Sequence, residues 1–115
     1  MKTRRSIVLS VGGVTFRLAV DDIQYVEAFS HSLSVVTGER TYQVRMPLSE
    51  IENKLGEGFV RCHRSYLVGL RFLAQISKNN IILDSGKMLP VSRGAASAVH
   101  KAFIDYYSGG HHETF

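Results

Sequence analysis

The chain has 115 residues, 44% of them hydrophobic, and no Pro/Gly-rich or charged linker in its middle, so one domain with one core, and no second catalytic domain, is expected. No apolar run approaches the roughly 20 residues of a membrane span, and the stretch after the basic start Met1–Arg5 is too short and polar for a signal-peptide core, which points to the cytoplasm. Fourteen Lys+Arg against ten Asp+Glu leave +4, a bias toward polyanions, and the lone Cys62 can close neither an intrachain disulfide nor a zinc site by itself.

In chain order, Ile7, Leu9 and Val11 alternate with polar or outward residues, Gly12-Gly13 break the run, and Val14, Phe16 and Leu18 resume it, which predicts a hairpin with a glycine turn. Strands are next expected at Ile23–Phe29, Leu33–Thr37 and Thr41–Met46, with Ser30-His31-Ser32 and Gly38-Glu39 between them, so the first half reads as an antiparallel meander. Pro47 stops strand pairing, and Leu48, Ile51 and Leu55 recur at helical spacing ahead of Gly56. The start of that helix has two incompatible readings, a capping box from Ser49 and Glu52 or Pro47 as the first helical residue.

Phe59–Leu70 is rich in strand formers but interrupted by Cys62-His63-Arg64-Ser65, so a strand, a polar turn and a further ordered segment are expected. Phe72–Ser77 and Ile81–Leu83 form a second hairpin pattern, and Met88–Val91 a last strand that Pro90 confines to an edge or an end. Beyond Arg93, Ala95, Val99, Ala102, Phe103 and Tyr106 carry a 3.6-residue period, giving a C-terminal helix closed by Gly109-Gly110, with 109–115 a frayed tail.

From Phe59 to Leu83 there is no Asp or Glu, while Arg61, His63, Arg64, Arg71 and Lys78 fall inside; a positive face is expected there, although composition alone does not separate it from surface charges that happen to spare one segment. Cys62 beside His63 has the composition of a thiol nucleophile and its base, yet neighbours on a strand point to opposite faces, so a buried structural cysteine is the expectation. His100 with His111-His112 lacks the spacing and rigidity of a metal site, and the glycine pairs lack the pattern of a phosphate loop, so no cofactor is expected. Phe16, Tyr25, Phe59, Tyr66, Phe72, Phe103 and Tyr106 are read as core, which leaves no aromatic platform of the kind that binds single strands. His31, Arg64 and Arg93 each end a predicted strand within a Ser-containing loop, a position from which a side chain can reach a base edge or simply meet solvent.

Three ordered segments, Ile23–Ala28, then Pro47–Glu52 running into Phe59–Val68 (FVRCHRSYLV), then Leu89–Arg93, resemble the LytTR (LytR/AlgR-type) DNA-binding domain over roughly residues 6 to 107. The resemblance implies a mainly β, elongated, sandwich-like antiparallel fold of about ten strands with one short internal helix and a C-terminal helix, spanning residues 1–108. It further implies a transcription regulator of double-stranded DNA, with loops rather than a recognition helix in the major groove and two copies on direct repeats. Carried over by position, His31, Arg64 and Arg93 would read base edges, since arginine donates two hydrogen bonds to guanine and histidine suits a purine edge, although the varying length of the first loop leaves the choice among Ser30, His31 and Ser32 open. Ser65 and Ser92 would hold phosphate oxygens, while His63 would brace its turn through the backbone.

Gly69 stands where the family commonly has asparagine, and a phosphoacceptor receiver ahead of the motif is not expected, which leaves an excised domain and a stand-alone regulator both open. Expected partners are therefore double-stranded DNA, a second copy of the chain, and a regulatory membrane or sensor protein, with no small-molecule substrate. The competing readings are a protein-interaction module using strand edges and the C-terminal helix, and a small hydrolase using Cys62.

Overall fold

The computed structural model describes residues 5–108. Alternation writes the first element directly: β1 (Ser6–Val11) and β2 (Val14–Ala19) pair from Ser6–Ala19 to Val11–Val14, burying Ile7, Leu9 and Leu18 on one side. Gly12 and Gly13 turn the chain with φ of 57° and 83°, the left-handed pair that a two-residue hairpin loop needs to follow strand twist.

A short 3-10 turn at Val20–Asp22 then redirects the chain, so β1 and β2 form a sheet of their own rather than the start of the expected meander. The meander proper is β3 (Ile23–Phe29), β4 (Ser32–Thr37) and β5 (Thr41–Val44). It belongs to a five-stranded antiparallel sheet in which β3 also pairs with β7 (Tyr66–Gly69), and β7 with β6 (Phe59–His63). A three-stranded sheet follows from β8 (Leu73–Ile76), β9 (Asn80–Leu83) and β10 (Met88–Pro90), and Pro90 closes an edge strand, as its missing N–H requires.

Apolar side chains pack on both faces of the central sheet, which is why Tyr25-Val26 and Leu67-Val68 are each buried as consecutive pairs. One face carries Val26, Val35 and Leu67 against the β1–β2 hairpin and α1 (Leu48–Leu55); the other carries Tyr25, Cys62 and Val68 against β8–β10 and α2 (Ala96–Ser108). The expected single core is thus two clusters with the sheet between them. Gly69 lies where β3 and β7 approach: a Cβ there would sit 2.9 Å from the Ile23 carbonyl oxygen and 3.2 Å from that of Gln24, so the space for an asparagine side chain is closed in this chain.

α1 settles the ambiguity of its start with neither register. Pro47 is the flanking N-cap residue with extended backbone (φ −68°, ψ 150°), and no side chain caps the first turn. Gly56 ends the helix as expected, at φ 65°, donating its N–H to the Glu52 carbonyl at 3.0 Å, while the Arg5 guanidinium donates to the Leu55 carbonyl. In α2, Val99 is buried and Ala102 and Phe103 are half-buried, but Tyr106 is 42% exposed and not a core residue. Its neighbour Tyr107 anchors the helix instead, its hydroxyl donating to the Leu70 carbonyl at 2.7 Å. Among the described residues no helix is long and apolar enough to cross a membrane. Gly109-Gly110, the expected helix stop, lies outside them.

Candidate nucleic-acid interface

Strand direction decides where the loops go. In the order β5-β4-β3-β7-β6, the C-terminal ends of β5, β3 and β6 lie with the N-terminal ends of β4 and β7, so the turns 30–31 and 64–65 and the segment after Val44 emerge at one end of the sheet. Hydrogen bonds tie these segments together. Ala28 donates its N–H to the Ser65 carbonyl at 2.8 Å, joining the β3 end to the β6–β7 turn. Ser92 donates to the Cys62 carbonyl at 2.9 Å, bringing the turn that holds Arg93 against the end of β6, and Val91 donates to Asn79 at 2.8 Å, adding the β8–β9 turn with Lys78.

His31, Arg64, Ser65, Ser92 and Arg93 therefore share one end of the molecule although more than sixty positions separate the first from the last. His31, Arg64 and Arg93 are exposed and Ser65 and Ser92 half-buried. Among the described residues no hydrogen bond or ion pair engages the side chain of any of the five, which leaves their side-chain donors available to a ligand.

The loops are held firmly. Ser30 adopts φ 57°, the one left-handed non-glycine among the described residues, and Ser32 Oγ donates to the Phe29 carbonyl across the same turn at 3.4 Å. In β6 the register slips between Arg61 and His63, a bulge that turns His63 toward Tyr66, whose ring it meets edge-on at 5.8 Å. His63 Nδ1 accepts the Ser65 N–H at 3.1 Å, a bond that braces the turn below Arg64. The Tyr66 hydroxyl donates to Glu27 Oε2 at 3.0 Å, so this acid near the β3 end is engaged; burial first, and then Glu27, raise the Tyr66 phenol above its ordinary pKa and keep it a neutral donor.

Cys62 is fully buried in that bulge, and burial pushes its thiol up to about 11, so it holds no thiolate near neutrality. Its sulfur faces the Tyr66 carbonyl at 4.0 Å while His63 is taken by Ser65, so there is no thiol–imidazole pair. Simple strand alternation, the argument used on the sequence, does not hold through the bulge; these partners are the reason.

Charge is separated along the sheet. The segments 29–32, 45–47, 63–65, 77–79 and 91–95 carry Arg45, Arg64, Lys78 and Arg93 with His31 and His63, and no Asp or Glu. Asp21, Asp22, Glu39 and Glu57 lie in the turns of the opposite end, with Arg40 and Arg71 among them. The acid-free sequence stretch expected to form a positive face is thus divided by the fold. Arg61 turns toward α1 and binds Glu52 at 2.8 Å, and Arg71 goes to the acidic end. Arg45 is what sequence reasoning missed: it reads as the interior of Thr41–Met46, but β5 ends at Val44 and leaves Arg45 exposed, lining an open groove with Ser30, His31 and Ser32.

The family model for the LytTr DNA-binding domain matches residues 13–104, four-fifths of the chain. The chain belongs to the LytTR family. The matched domain is a DNA-binding module, not an enzyme family. The Bacillus subtilis sensory transduction protein LytT is 32% identical over 104 residues, covering 85% of this chain and 43% of that protein. An uncharacterized response regulatory protein of Yersinia pestis is 30% identical over 83 residues, 68% of this chain and 34% of its own length. This LytTR domain thus spans less than half the length of these relatives. A solved LytTr DNA-binding domain from Bacillus cereus superposes with a TM-score of 0.74 at 25% identity, covering 87% of this chain and 97% of the other, so the ten-strand, two-helix architecture is the LytTR fold.

Proposed function

We propose that this domain regulates transcription by inserting the acid-free end of its central sheet into the major groove of double-stranded DNA, His31, Arg64 and Arg93 reading base edges. The observation that carries the reading is the hydrogen-bonded convergence of three sequence-distant loops on one end, with exposed, unengaged arginines and no carboxylate among them. Arginine presents a fork that matches guanine O6 and N7, and His31 can donate to or accept from a purine edge. Ser65, Ser92, Arg45 and Lys78 are placed for phosphate oxygens, which fix orientation without reading sequence. Residues 1–108 act as the DNA-binding unit, with 109–115 a tail, and two copies occupy direct repeats. A sensor or membrane protein, or a segment of a longer chain, supplies the signal.

The deciding experiment selects bound oligonucleotides from a random pool with the full chain and then compares variants on the selected site. Arg64→Ala and Arg93→Ala are each expected to cost roughly 1 to 3 kcal/mol there and to relax preference at one base pair. An equal loss on random duplex would reassign them to phosphate contacts. Retention of no sequence, together with capture of a protein partner, would favour the interaction-module reading.

A further inference from the structure

The most exposed large apolar side chain of the described chain stands in the middle of this cationic end. Phe29 is 73% exposed at the last position of β3, and it lies outside every apolar cluster of the fold. Single exposed apolar residues are common, so exposure alone carries little; its neighbours carry more. β3 and β7 pair Glu27 with Tyr66, and the Ala28–Ser65 bond extends the contact to the β6–β7 turn, so Phe29 follows directly on the residue bonded to the turn that carries Arg64. On its other side Phe29 pairs with Ser32, at the base of the turn that presents His31. Phe29 therefore stands between the turn that carries Arg64 and the turn that presents His31, on a strand end whose backbone is held by hydrogen bonds from both sides.

We propose that Phe29 is a specificity-determining residue that packs against the C5-methyl group of a thymine adjacent to the base pair read by Arg64. The inference rests on the major-groove reading of this end. Thymine is the base that offers an apolar group in the major groove, and an aromatic ring on a loop that enters the groove meets it without any hydrogen bond. The ring does not serve as a stacking platform for single strands, since among the described residues it is the one exposed aromatic at this end of the sheet.

The test uses the full chain and the duplex it selects. Each thymine of that site is replaced in turn by deoxyuracil, which removes one methyl and leaves every hydrogen bond. One position is expected to weaken wild-type binding roughly fourfold, the effect of one buried methyl group, and the same replacement is expected to leave Phe29→Ala unaffected. Phe29→Ala should keep the wild-type Tm and its affinity for random duplex, because the side chain packs against nothing in the core.

If the uracil effect persists in Phe29→Ala, or if no thymine responds, the methyl contact is overturned while DNA binding stands. If Phe29→Ala weakens all duplexes equally, the residue serves association between copies and the inference fails. If Arg64→Ala and wild type bind every duplex alike, the parent reading falls and this one with it.

Discussion

Ser30 shows how a residue that is poor for folding can be good for a site. An L-amino acid in the left-handed region gives up roughly 1 to 2 kcal/mol, and Ser30 holds φ 57° at the tip that presents His31. Glycine would adopt the same backbone without that cost, although it loses more freedom on folding. Ser30→Gly is therefore expected to raise stability by up to about 1 kcal/mol, read as an increase of a few degrees in Tm. The same change loosens the loop, so affinity for the selected duplex should fall modestly; unchanged stability would show that the turn relaxes at no cost with serine in place. At this scale the sequence was informative where chemistry and position coincide. The exposed loop positions of His31, Arg64 and Arg93 were legible because each interrupts an apolar alternation with a polar loop, whereas the exposure of Arg45 at the same end was hidden inside an apparent strand that ends one residue before it.

Between elements, the tightest constraint is the approach of β3 to β7 at Gly69, which is buried with φ in the ordinary extended range. Gly69→Ala would bring a methyl to 2.9 Å from the Ile23 carbonyl oxygen, a contact that backbone must yield to relieve. A loss of about 1 to 3 kcal/mol is expected, the usual range for overpacking, measured by denaturant unfolding; a neutral result would mean that the β3 end shifts freely, and DNA affinity should then change with it.

Most strands and both helices could be read from the sequence because alternation and the 3.6-residue period were each sustained over several residues. What could not be read depends on pairing between distant strands. The bulge at Cys62, which re-aims His63, leaves no mark in local composition. The 3-10 turns at Val20–Asp22 and Leu70–Phe72 divide the strands among three sheets without a proline or glycine inside them. Tyr106 kept the helical period but ran past the edge of the surface that α2 covers, where Tyr107 reaches the Leu70 carbonyl in its place.

For the whole molecule, net charge is a weak guide and charge placement a strong one. The +4 balance is modest, and the stretch from Phe59 to Leu83 overstates the positive face, because Arg61 is spent on Glu52 and Arg71 lies among the acids of the far end. The same fold collects Arg45, Arg64, Lys78 and Arg93 from segments that no sequence window contains. This separation makes a quantitative demand on binding. Each phosphate neutralised releases counterions, so log K should fall linearly with log salt at a slope of roughly −0.9 for each contact.

Neutralising Arg45 or Lys78 is expected to reduce the magnitude of that slope by about 1 and to weaken specific and random duplex alike. Arg61→Met removes an equal charge that is half-buried against α1, where the ion pair contributes at most about 1 kcal/mol to stability, and it should leave the slope unchanged. Titrations of the full chain at several salt concentrations separate these cases. If Arg61→Met lowered the slope as much as Arg45→Ala, affinity would follow total charge rather than the sheet end on which the fold places it.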